Sequence, residues 1–153
     1  MDLLSRRHLL AGLAVLAALR PALAATAPQV EVWKNRGCGC CTAWAQHLER
    51  SGFVVAAVHE VDDAAAIGAA AGVPADLAGC HTAKVAGYVV EGHVPAAAVQ
   101  RLLAERPAVQ GLAVPGMPLG SPGMEVPGQP AEPFDVIAFA ADGSRALFMA
   151  VRP

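Results

Sequence analysis

Three cysteines stand at positions 38, 40 and 41, in "NRGCGCCTAW", and a fourth opens "CHTAK" as Cys80 beside His81. Thiolate and imidazole are ligands for soft and borderline metals: zinc, Cu(I) and iron–sulfur clusters. Cys38 and Cys41 also have the C-x-x-C spacing of a redox dithiol, which would make the chain a thiol–disulfide oxidoreductase. A third thiol beside such a pair invites scrambling, so Cys40 fits redox chemistry badly and metal binding well. An even cysteine count also permits two structural disulfides, in three pairings.

Five candidate ligands, Cys38, Cys40, Cys41, Cys80 and His81, exceed the four that a closed zinc site needs. Nearly contiguous thiolates can bridge, so more than one Cu(I) would fit. Met117 in "VPGMP" and Met124 in "SPGME" are candidate additional ligands, because thioethers select Cu(I). These features tilt the balance toward copper, with zinc second. His47, His59 and His93 read as packing or surface residues, and Trp33 and Trp44 as shields around the cysteine cluster.

The elements that must position these groups follow from pattern. "VEVW" reads as a strand and "CTAWAQHLERSG" as a helix ended by Gly52. "FVVAAVHEV" is apolar enough for a strand buried on both faces. "DDAAAIGAAAGVP" is a second helix with an Asp cap, Thr82 to Gly92 a strand, and "VPAAAVQRLLAERP" a third helix. A long Gly/Pro-rich loop follows, of the kind that is functional or disordered. Two strands around Asp142-Gly143 close the chain as a hairpin.

The order predicts an α/β fold, one mixed sheet flanked by helices. The cysteines fall between the first strand and first helix, as in the thioredoxin-like fold. A helix N-terminus there favours thiolates. If Cys80-His81 precedes a strand antiparallel to the first, both groups meet at one sheet end. An extended strand of about eleven residues spans roughly 35 Å, which sends His93 to the far end. The third helix then returns the chain, so the Gly/Pro loop starts near the site.

The first residues, "SRRHLLAGLAVLAALRPALAA", have the charged start, apolar run and small-x-small end of a cleavable export signal over 1–24. "SRRHLL" resembles a twin-arginine signal, and the general export route stays open beside it. A single domain over 25–153 remains, with no later hydrophobic span. Its charge is 8 basic against 12 acidic residues, from 11 and 13 in the full chain, once Arg6, Arg7, Arg20 and Asp2 are removed. A balance of −4 without basic clusters argues against nucleic-acid binding.

"CGCC", then "GCHTA", "GYVVEGHVPAAAVQRLL" and "GLAVPGMPLGSPGME", resemble the CopG-type periplasmic copper-resistance proteins, from Val30 to the chain end. The resemblance implies a thioredoxin-like fold and a copper site of the CxCC and CH motifs, here Cys38, Cys40, Cys41, Cys80 and His81. It also implies copper handling in the periplasm beside other copper proteins, including redox interconversion of Cu(I) and Cu(II).

Overall fold

The computed structural model describes residues 26–153, and the expected export signal lies outside them. Seven strands form one mixed sheet in the order β2-β1-β3-β4-β5-β6-β7. They are β1 (Gln29–Asn35), β2 (Val54–Val61), β3 (His81–Val85), β4 (Tyr88–Glu91), β5 (Gly111–Ala113), β6 (Phe134–Phe139) and β7 (Arg145–Val151). The α/β class, the single mixed sheet and the C-terminal hairpin are as the pattern predicts.

Helices α1 (Gly39–Arg50) and α3 (Ala96–Glu105) cover one face, α2 (Ala64–Ala70) the other. Apolar spacing in α1 turns Trp44, Ala45 and Leu48 inward, and in α3 Ala98, Val99 and Leu102. These meet Val30, Val32, Ala83, Val85, Val90 and Leu112 from the sheet. Full burial of a Leu such as Leu48 or Leu102 contributes about 1.5–3 kcal/mol. A smaller cluster of Val73, Leu77, Val89, Ala113 and Phe139 forms a second core. Asp63 caps α2 by accepting from Ala66 N–H, and Asn35 Oδ1 accepts from Ala64 N–H.

Three elements differ from expectation. The segment Thr82–Gly92 is a hairpin, not one strand. β3 and β4 pair antiparallel, with Val85 opposite Tyr88, around a two-residue turn of Ala86 and Gly87. Both turn residues have positive φ, 46° and 90°, as the tightest hairpin turns require. β2 is not buried on both faces: it is the sheet edge, with Val54 and Val58 each 46% exposed. Finally, Gly111–Ala113 opens the Gly/Pro stretch as a short strand parallel to β4. Among the described residues no helix is long and apolar enough to cross a membrane.

Candidate metal centre

β1 runs into a turn at Asn35–Gly37, and α1 starts at Gly39. Cys38 is its N-cap, with Cys41 N–H donating to Cys38 Sγ at 3.4 Å. Local chain geometry therefore places Cys38, Cys40 and Cys41 on the helix's first turn. β1 and β3 pair antiparallel with Lys34 opposite His81, so the start of β3 lies beside the end of β1. Asn35 N–H donates to Cys80 C=O at 3.3 Å and ties the two segments together.

Four sulfurs converge there: Cys38, Cys40, Cys41 and Cys80 all lie within 4.8 Å of one another. Cys38 and Cys41 are joined as a disulfide, with Cα atoms 5.4 Å apart. Cys40 and Cys80 are free thiols. Cys40 Sγ is 3.5 Å from Cys38 Sγ, and Cys80 Sγ is 3.3 Å from Cys41 Sγ. The expected set of thiolates at the helix start is thus one disulfide and one free thiol.

A second group shares Cys80. Its sulfur, a His81 nitrogen and a His93 nitrogen lie within 4.8 Å of one another. Cys80 Sγ is 3.6 Å from both His81 Nδ1 and His93 Nε2. The expectation that His93 lies at the far end of the sheet is incorrect. The Ala86-Gly87 turn reverses the chain, and β4 carries it back to the site. The Gly/Pro loop still starts at this end, by a different route. α3 leaves the site and the parallel strand β5 returns, with Val114 N–H donating to Glu91 C=O.

Both histidines are fully buried. His93 Nδ1 lies 2.8 Å from Pro122 C=O. A carbonyl only accepts, so Nδ1 carries the proton and Nε2 presents its lone pair toward Cys80. Ligating histidines are oriented by such a hydrogen bond from the other ring nitrogen. Burial lowers the His93 pKa, which keeps the ring neutral. Burial first, and the nearby His93 ring second, which disfavours a proton on both rings together, hold His81 down to about 3. His81 Nε2 is buried without a hydrogen-bond partner among the described residues. An orphaned buried ring nitrogen is costly unless something occupies it.

Burial, with repulsion from Cys40 next, pushes the Cys80 thiol up to about 11. No basic side chain relieves it from the adjoining strand end. Lys34 is held by Glu60 at 2.5 Å, and Arg36 by Asp62 at 3.2 Å. A soft cation that takes the place of the thiol protons fits this donor set of sulfur and neutral imidazole.

The surrounding side chains are closely packed and hydrogen-bonded. Trp44 packs on the His81 ring, centroids 4.4 Å apart, and donates Nε1–H to Val94 C=O at 2.9 Å. His47 Nε2 accepts from Ala96 N–H at 3.1 Å and so caps α3, a structural role. The Gly/Pro loop crosses the site. Gly123, at φ 88°, approaches α1 so closely that a Cβ would lie 2.5 Å from Cys40 C=O. Trp33 and His59 lie on the exposed side of β1 and β2, stacked at 5.2 Å, with His59 on Glu31. Trp33 is therefore not a shield for the cluster. Met117 is 56% exposed and lines an open groove of about 570 Å³ with Pro115, Pro118 and Phe134. Met124 is half-buried, two residues beyond the Pro122 carbonyl that meets His93.

Residues 77–124 match the family described as "Protein of unknown function, DUF411". This span holds Cys80, His81 and His93 and stops short of the cysteine turn. Two solved structures are similar over most of the chain. One, described as copper resistance protein CopG in form 2, is 38% identical, with a TM-score of 0.75; the match covers 82% of this chain and 99% of that one. The other, form 1 of the same protein, is 39% identical with a TM-score of 0.74, covering 82% and 98%. No curated protein matches.

Proposed function

Since the chain belongs to the family of copper resistance protein CopG, we propose that it binds copper at this centre and acts in copper resistance. The observation that carries the reading is a pair of donor groups joined at Cys80: four sulfurs in one, and Cys80 with the buried His81 and His93 rings in the other. Cys40, Cys80, His81 and His93 are available as ligands in the disulfide form. Reduction adds Cys38 and Cys41. Cu(I) is the form that such a soft donor set favours. The sulfurs lie close enough to bridge, so the reduced centre takes more than one ion. Met117 and Met124 are candidate further ligands from the loop. Residues 1–24 act as an export signal, which puts the protein in the periplasm, where other copper proteins are candidate partners.

Titration of the reduced protein with Cu(I), with bound metal counted, tests this. More than one equivalent per chain, reduced in Cys40→Ser, is expected. Less than one equivalent, unaffected by Cys40→Ser, removes the reading.

The Cys38–Cys41 disulfide at a helix N-terminus favours a second reading, a thiol–disulfide or copper oxidoreductase. Insulin reduction that survives Cys40→Ser and Cys80→Ser, but is lost in Cys38→Ser, distinguishes dithiol exchange from copper chemistry.

A further inference from the structure

Glu91 is a fully buried carboxylate with no basic partner among the described residues. It lies on β4 opposite Thr82 of β3, under α2. Charges so buried are rare unless something specific holds them. Burial raises its pKa, and its two donors oppose the shift. Those donors are the notable part. Glu91 Oε1 accepts from Gly79 N–H at 2.6 Å, and Oε2 accepts from the Thr82 hydroxyl at 2.7 Å. Gly79 and Thr82 are the residues on either side of Cys80-His81. One carboxylate therefore brackets the dipeptide that joins both ligand groups.

The space around it is fitted. A Cβ on Gly68 of α2 would lie 3.1 Å from Glu91 Oε2 and 3.0 Å from Thr82 Oγ1. His81, Ala83 and Val85 alternate toward the α1 face, where Ala83 and Val85 join the main core, whereas Thr82 points toward α2. The clamp thus works from the opposite face of the sheet to the rings that pack on His81. Gly79 lies before β3 and so lacks a ladder of its own to fix it. Its N–H on Glu91, with Asn35 N–H on the Cys80 carbonyl, sets where Cys80 enters the centre.

We infer that Glu91 is the positioning residue of the centre, holding Cys80 and His81 against the cysteine turn by clamping Gly79 and Thr82. Its effect on metal rests on the copper reading above, but its effect on the Cys80 thiol does not. Both are measurable on the whole chain. In the metal-free, disulfide-intact protein Cys40 and Cys80 are the free thiols. Alkylation by iodoacetamide, followed by mass spectrometry, gives the ratio of their rates.

Glu91→Ala orphans the Gly79 N–H and is expected to raise the Cys80:Cys40 ratio about tenfold. Glu91→Gln keeps an acceptor for Gly79 and a donor for Thr82 Oγ1, and stays within about twofold of wild type. Loss of an orienting partner lowers metal affinity roughly 10–100-fold, so Cu(I) competition against a chelator should show that loss in Glu91→Ala and not in Glu91→Gln. Leu102→Ala, a cavity in the α3 core, controls for general loosening and should leave the ratio unchanged. Thr82→Val removes one donor at constant shape, shifts the ratio in the same direction by less, and decides the matter if Glu91→Ala does not fold. An unchanged ratio in Glu91→Ala or Thr82→Val overturns the inference. So does a Glu91→Gln as damaging as Glu91→Ala, or an equal shift in Leu102→Ala. If wild type binds no copper, the copper reading fails, and the alkylation ratio still decides the role of Glu91.

Discussion

The two halves of the centre are made by different means. Cys38, Cys40 and Cys41 sit on one helical turn, and the chain's local geometry alone brings them together. Cys40 is half-buried, and Cys38 caps the helix with its sulfur. Cys80, His81 and His93 come from two strand ends, are held by long-range pairing and include two fully buried rings. The local half has no role until a second element faces it. The long-range half is tied by strand pairing, holds its two rings fully buried and supplies the imidazoles.

The largest expected effect comes from the sulfur of the long-range half that meets the cysteine turn. Cys80→Ser should lower Cu(I) affinity about 100-fold or more, at or beyond the upper end of what losing an orienting partner costs. Chelator competition measures it, and wild-type affinity would mean that the halves work separately. Next, His93→Ala should weaken Cu(I) binding about tenfold or more, whereas His47→Ala leaves binding intact. His47→Ala instead costs about 1–3 kcal/mol of stability by stranding Ala96 N–H. Equal copper losses in the two variants would dissolve the distinction between ligand and cap.

Gly123→Ala forces a Cβ against Cys40 C=O at a positive φ and should destabilise by about 1–3 kcal/mol. Chemical denaturation reads that loss, and faster Cys40 alkylation should accompany it. The smallest effect is the pH response of the metal-free fold. His47, His81 and His93 have pKa values lowered by burial, so the unfolded chain binds more protons than the folded one below about 6.5. Stability should therefore fall as pH drops from 7 toward 4. Glu91, raised by burial, acts in the opposite sense above its ordinary value. A melting temperature that rises on acidification would show that the buried rings are not neutral.

How much of this was legible follows the same division. The cysteine turn, its place between β1 and α1 and the meeting with Cys80-His81 can all be read from spacing and strand direction. His93 cannot, because Ala86-Gly87 is a weak turn signal: Ala seldom takes a φ of 46°. Reading Thr82–Gly92 as one strand puts His93 at the wrong end. The sequence reading puts the loop at the correct end only because two errors offset each other: it has α3 return to the site, whereas β5 does so. Val54 to Val61 looks like a core strand because small and β-branched side chains dominate it. Its place at the edge is set by pairing with β1 alone, which composition does not encode. Glu91 lies within an apolar alternation, where a lone acid gives no sign that its two oxygens reach residues on either side of Cys80.

The two-residue turn at Ala86-Gly87 makes the β3–β4 hairpin a ruler. Cys80 and His93 are separated by 13 positions in sequence, yet they meet because Val85–Tyr88 and Thr82–Glu91 keep step rung by rung. Inserting one residue into either strand would turn Glu91 to the other face and break the rungs beneath the centre. Adding a pair, one residue to each arm, would move the turn outward and leave the measured interval at the base intact. Length variation in this segment should therefore come in even steps and collect at the tip.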